Sequence, residues 1–255
     1  MKQVASWTGI AVAVTFLLLP LVVIIPLSLT PTSFLSFPTG DLSLRHYEAL
    51  FTDPKWIGSA ADSLIVATLS AVVCTLLSVA MASGLWLTNT RLAPVFITIA
   101  LLPIVAPQVV SAMIVYYLEA RLGILDSYVG LVVGHCVVAL PYAVIAMLVA
   151  FSRLSRSLER ASRSLGAGTW TTLWRVLLPN VKSGIFGAAF LSFVISWDEV
   201  AVTLFISGLN VMTLPKRIWD GLRFDINPVI ASVSVVMILL TTIVLIVQAM
   251  RKTKS

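Results

Sequence analysis

The sequence predicts an all-α protein that crosses a membrane repeatedly, with six transmembrane helices. Three observations carry that expectation. Of 255 residues, 59% are hydrophobic and 11% charged, against about 25% charged in ordinary soluble domains. Six apolar stretches are each as long as the ~20 residues that a spanning helix needs. The basic residues gather at one set of edges of those stretches, as the charge rule for membrane topology requires. This much apolar surface exceeds what one aqueous core of this length can hide. The runs are continuous, whereas barrel strands alternate in polarity over ~10-residue segments.

The expected spans are residues 4–29, 60–89, 92–118, 127–152, 181–206 and 226–250, forming one transmembrane domain over residues 1–255 with one long inner loop, residues 153–180. The first stretch is longer than the ~7–15 apolar residues of a cleavable signal and reads as a span. Asp62, near the outer start of the second, reads as a helix cap. Pro103 and Pro107 in the third stretch and Pro141 in the fourth are tolerated where neighbouring helices satisfy the freed carbonyls. Gly84, Gly130 and Gly134 read as close helix contacts. The fifth stretch is interrupted by Asp198 and Glu199; the sixth is uncharged up to Met250.

Placing the N-terminus inside puts eleven basic residues on the inner side: Lys2, Arg91, Arg153, Arg156, Arg160, Arg163, Arg175, Lys182, Arg251, Lys252 and Lys254. The outer side keeps six, among Asp41, Glu48, Asp53, Glu119, Asp126, Asp220 and Asp225. Both termini are therefore expected in the cytoplasm of a bacterial inner membrane, in contact with lipid. The formal net charge of +6 is explained by this edge placement, so no nucleic-acid partner is expected. Cys74 and Cys136 are the two cysteines. His135 and Cys136 lack the further soft ligands that a zinc shell needs, so core packing is expected and no metal.

The inner loop is patterned. Leu154, Leu158, Ala161 and Leu165 recur at helical spacing, giving a narrow apolar stripe. Gly166 follows as a left-handed helix stop. Thr169 is placed to cap a second short helix whose apolar face is Trp170, Leu173, Trp174 and Leu177, and Pro179 ends it. Periodicity alone is equally consistent with an amphipathic hairpin lying on the inner leaflet, its arginines meeting anionic lipid.

The wording of the loop goes further. Glu159-Arg160-Ala161-Ser162-Arg163-Ser164-Leu165-Gly166, followed after nine residues by Val176-Leu177-Leu178-Pro179, resembles the EAA loop of type I ABC importer permeases. In that family the pattern is Glu-Ala-Ala, three residues, Gly, nine residues, Ile-x-Leu-Pro. Here Arg160 stands where that family has glutamate, Glu159 lies one position earlier, and Ser162 replaces the second alanine; either Glu159 substitutes or the contact is made differently. Residues 193–203 and 214–219 are similar to the second permease chain of spermidine/putrescine-type transporters. The resemblance implies the type I permease fold and a membrane subunit, not an enzyme, forming half of the path for a small solute such as a polyamine or related amine. It implies ATPase coupling through Glu159, Arg160, Ala161, Ser162, Gly166, Val176, Leu178 and Pro179. The implied partners are a second permease chain in a heterodimer, two ATPase chains that carry ATP and Mg, and an external solute-binding protein. No cofactor is expected on this chain. It has no G-x-x-x-x-G-K-[ST] loop and none of its lysines follows a glycine, so ATP must be hydrolysed elsewhere. An ion-coupled carrier is the alternative class; it is favoured by inverted repeats, which the sequence does not display.

Asp198 and Glu199 fall about sixteen residues into the fifth span, roughly 24 Å from its inner end. Charges at that depth are costly unless they meet water, partners or solute. Two readings stand. One carboxylate lines the outer path and attracts an amine, with Trp197 and Trp219 offering a cation–π surface. Alternatively, the pair marks a helix break or pairs with Lys216 or Arg217, and the tryptophans are interfacial belt residues.

Overall fold

A computed structural model describes residues 2–38, 40–224 and 227–252. Ile226, the first residue of the expected sixth span, lies outside them, as do Asp225 and Lys254 from the charge comparison. Among the described residues every regular element is helical: α1 (Lys2–Ser28), α2 (Arg45–Thr52), α3 (Pro54–Thr88), α4 (Ala93–Val105), α5 (Gln108–Leu122), α6 (Tyr128–Ser152), α7 (Arg156–Ser164), α8 (Thr169–Thr172), a π-helical turn (Leu173–Leu177), α9 (Leu178–Asn180), α10 (Lys182–Trp197), α11 (Ala201–Ile206), α12 (Leu214–Phe224) and α13 (Val229–Lys252).

Three of these are long and apolar enough to cross a membrane: Trp7–Ser28, Pro54–Thr88 and Tyr128–Ser152. Two bent pairs, Ala93–Val105 with Gln108–Leu122 and Thr169–Asn180 with Lys182–Trp197, raise that to five if each pair is one span, and Val229–Ile243 is a shorter apolar helix. The third expected span is thus not one helix. It bends by 105° between α4 and α5. The cause is Pro107: it has no N–H to continue the ladder, and it forces Ala106 into extended backbone at φ −70°, ψ 136°. The fifth expected span is also divided, because α10 ends at Trp197 and α11 begins at Ala201.

The chain forms two compact units, residues 1–58 with 217–255, and residues 59–216. In the first, α13 packs against α1 and α2. Polar bonds fasten the turn after α1: the Ser28 and Tyr47 hydroxyls lie 2.7 Å apart, Arg45 Nη1 donates to the Pro31 carbonyl at 2.9 Å, and a ring nitrogen of the buried His46 lies 3.0 Å from the Thr32 carbonyl.

The second unit is built around α6, which packs on α4, α5, α10 and α11. Ala139, Ala143, Met147 and Phe151 are all buried; spaced four apart, they share one face. They meet Cys74 and Ala82 of α3, Val181 and Ala188 at and within α10, and Leu173 and Leu177 of the inner loop in one apolar cluster. The loop is therefore continuous with the core of the spans. Of the glycines expected at helix contacts, Gly134 lets α11 approach, since an added Cβ there would sit 2.7 Å from Ile206 Cδ1 and 2.8 Å from Val202 Cγ1. Gly130 lies equally close to Glu119, whereas Gly84 faces open space.

Candidate functional site

The inner loop holds the first group of candidate residues. Ser155 caps α7 by accepting from the Ser157 N–H at 3.2 Å, a contribution of about 1 kcal/mol to a helix of this kind. Gly166 has φ +81°, a left-handed backbone that any other residue adopts with strain. The buried face of α7 differs from the expected stripe. Leu154 and Leu158 are half-buried and Ser162 continues their line, buried and within 2.9 Å of the Thr172 hydroxyl, while Ala161 and Leu165 are exposed. A hydroxyl pair replaces an apolar contact at the α7–α8 junction, and hydropathy patterning does not register it. The second face is corrected likewise: Leu173 and Leu177 are buried, but Trp170 and Trp174 are 73% and 64% exposed. Thr169 is the first residue of α8, and Gly168 holds the cap position without a side-chain bond.

Glu159 is engaged within its own helix, accepting from Arg156 at 3.4 Å and Arg163 at 2.9 Å. Arg160 beside it is exposed. Val176 and Leu178 are half-buried, Pro179 is exposed, and the Asn180 side chain donates to the Val176 carbonyl at 2.7 Å. Beyond Asn180 the chain turns by 72° into α10.

The second group surrounds the break between α10 and α11, and the two adjacent carboxylates separate in role. Asp198 terminates α10 at φ −90°, ψ 0° and is exposed. Glu199 is buried; Oε1 accepts from the Val202 N–H at 2.8 Å and Oε2 from the Gln108 side chain at 2.9 Å. One oxygen therefore anchors the first turn of α11. The other ties that break to the start of α5, just after the Pro107 break. His135 of α6 completes the network: its two ring nitrogens lie 2.8 Å from the Ser196 hydroxyl and 2.9 Å from that of Thr203, and Thr203 donates to the Glu199 carbonyl at 3.0 Å. Two interrupted helices and α6 are thus joined by buried hydrogen bonds, which are worth more where water is excluded. Sequence reading placed Asp198 and Glu199 here but missed Gln108 and treated His135 as packing. The available signal was a lone glutamine one residue after a span-breaking proline. Trp197 stacks on Phe193 with ring centroids 5.8 Å apart, and Trp219 lies on α12 in the other compact unit, 47% exposed.

A third polar cluster fixes the segment after α11. Asp126, itself at φ +53°, accepts from the backbone N–H groups of Gly208, Leu209, Asn210 and Val211 at 2.7–3.3 Å. Burial alone would raise its carboxyl, but the N–H groups of Asn210, Gly208, Val211 and Leu209 outweigh that and hold it below its ordinary value. Asp62 lies about two turns into α3 rather than at its start, so it caps nothing. Instead it accepts from Tyr128 Oη at 2.6 Å and from the Met212 N–H at 3.0 Å. Lys216 Nζ donates to the Ser207 carbonyl at 2.8 Å.

A family profile described as binding-protein-dependent transport system inner membrane component matches residues 74–252. The spermidine/putrescine transport system permease protein PotC of Haemophilus influenzae is 27% identical over 234 residues, covering 90% of this chain and 89% of that one. PotC of Escherichia coli K12 is 25% identical over 235 residues, covering 91% and 87%. A probable molybdenum ABC transporter permease of Haloferax volcanii is 34% identical over 176 residues, covering 66% and 65%. Among solved structures, a chain of a bacterial ABC transporter involved in import of the acidic polysaccharide alginate superposes with a TM-score of 0.71 at 17% identity, over 98% of this chain and 95% of that one.

Proposed function

The chain belongs to the family of binding-protein-dependent transport system inner membrane components, the permease subunits of ABC importers, and from that premise we propose that it forms half of an import path for a cationic amine solute, driven through its inner loop. As a permease it is a transport subunit and not an enzyme. In the proposed assembly it is a single transmembrane domain of six spans, α4 with α5 forming the third and α10 with α11 the fifth, with both termini in the cytoplasm of a bacterial inner membrane. It pairs with a second, homologous permease chain. Two ATPase chains, which carry the ATP and Mg, meet the inner loop, and a solute-binding protein delivers cargo from outside.

The observation that carries the coupling role is the loop's division of labour. Leu173 and Leu177 lock it into the apolar cluster of the spans, while Leu165, Trp170 and Trp174 remain exposed, as do Arg160 and Arg175 of the same loop. An exposed aromatic pair with flanking arginine has the composition of an interface hot spot. Glu159, Ala161, Ser162, Gly166, Val176, Leu178 and Pro179 shape the loop that presents it. The amine reading rests on the near full-length similarity to PotC of two organisms and on Asp198, an exposed carboxylate at the α10–α11 break that attracts cations and repels anions. Glu199, already satisfied by Gln108 and Val202, holds the break rather than the solute. Trp197, beside Asp198, and Trp219 are the aromatic residues assigned to the path.

Asp198→Asn keeps the shape and removes the charge. Uptake of a polyamine into vesicles carrying the whole complex is expected to fall about tenfold, the scale of 1.4 kcal/mol of lost attraction, with unchanged assembly; an unchanged rate would remove Asp198 from the path. The orientation is tested in intact cells with a membrane-impermeant thiol reagent. Cysteines placed at Gly40 and at Leu209, which is 93% exposed, should be labelled, and one at Ser164 should be spared. Labelling at Ser164 from outside would invert the topology.

A further inference from the structure

Arg156 is the first residue of α7, where the helix dipole disfavours a positive charge. Its position is explained by what it reaches. Its guanidinium lies 4.1 Å from the centroid of the Trp86 ring, Nη1 donates to the Trp86 carbonyl, and Nη2 donates to Asn89 Oδ1 at 3.3 Å. Trp86 is in the last turn of α3, and Asn89, at φ +47°, opens the α3–α4 turn. Trp86 in turn packs on Phe151 near the end of α6, with ring centroids 6.2 Å apart. The inner loop is covalently continuous with α6 and α10, but nothing in the chain's connectivity joins it to α3. Leu173 and Leu177 share an apolar cluster with Cys74 and Ala82 of α3, and Arg156 adds the directional connection, through a planar fork and a stacked face, a geometry that lysine does not reproduce.

We infer that Arg156 is a positioning residue for transport, clamping the ATPase-facing helix α7 to the inner end of the α3 span so that a displacement of the loop moves α3 together with α6 and α10. The inference rests on the reading of the loop as the ATPase contact. Packed elements held by directional contacts move as one body, and a cut contact lets the driven element slip. Removing the clamp should therefore leave the ATPase bound and turning over while the stroke is wasted. The expected signature is a change in coupling rather than in assembly.

The test uses the complete transporter in proteoliposomes, with polyamine uptake and ATP hydrolysis measured on the same sample. Arg156→Ala and Trp86→Leu are expected to retain the ATPase chains while ATP consumed per solute rises about tenfold, within the range of coupling free energies between linked sites. Arg156→Lys, which keeps the charge beside Glu159 but loses the fork and the stack, is expected to be uncoupled as well. Should Arg156→Ala not accumulate, Arg156→Lys and a distance measurement on the parent decide. Spin labels at the exposed positions Ser164 and Arg91 are expected to keep one separation with and without nucleotide, and to separate on nucleotide binding in Arg156→Lys. A parental ratio of ATP to solute in these variants, with the ATPase retained, overturns the clamp alone; so does a parental label separation that changes with nucleotide. Absence of the ATPase from the parental complex overturns the docking reading, and the clamp falls with it.

Discussion

Trp170→Asp combined with Trp174→Asp is expected to stop ATP-driven uptake while leaving the permease folded and inserted. Both rings are mostly exposed, so removing them opens no cavity in the permease; the buried side of the loop, Leu173 and Leu177, is untouched. If the rings enter a groove on the ATPase, each truncation of such an anchor removes about 2 kcal/mol or more of binding. The added aspartates bring a desolvation penalty on top. Together they should weaken ATPase binding by about a thousandfold. The measurement is retention of the ATPase chains on the purified permease. The amphipathic alternative, in which these rings rest on the inner leaflet, predicts normal retention and normal uptake, so the two readings give opposite results.

Glu199→Ala is expected to be the most damaging single change within the membrane domain. It leaves the Gln108 side chain and the Val202 N–H without the acceptors they have at 2.9 and 2.8 Å. An orphaned buried donor costs about 1–3 kcal/mol, so the pair costs about 2–6 kcal/mol, enough to release α11 from α5. Assembly and uptake should both fall, and the temperature at which the detergent-solubilised complex loses half its solubility should drop. Glu199→Gln keeps an oxygen for Val202 and is expected to retain most of both. If Glu199→Gln assembles normally yet transports no polyamine, the negative charge itself is required and Glu199 joins Asp198 in the path.

Much of the architecture was legible because the bilayer imposes simple rules. Long uncharged runs can only be helices there, and the Glu159 to Pro179 wording placed the loop and the family. The two breaks were harder. Pro107 was visible as a proline but not as a 105° bend, because Pro103, Pro20 and Pro26 sit inside helices without ending them. What separates them is the residue before the proline, which is extended at Ala106 but helical before Pro103, Pro20 and Pro26, a difference that hydropathy does not register. The same limit applies to Glu199. Its neighbour Asp198 has the same charge and the same depth, yet Glu199 is the one buried, bonded to Val202 and to Gln108, 91 positions away in sequence, while Asp198 is exposed. In the loop, the stripe ran true at Leu154 and Leu158 and then failed at Ala161 and Leu165, because Thr172 offered Ser162 a hydroxyl partner, a pairing that hydropathy does not register.

The most direct test of the chain as the membrane half of an ATP-driven importer is solute uptake by proteoliposomes holding the permease pair and the ATPase, with ion gradients collapsed by ionophores. Uptake that requires both ATP and the solute-loaded binding protein, and that persists without any ion gradient, is the expected result. Uptake without ATP, driven by an imposed ion gradient, would contradict it.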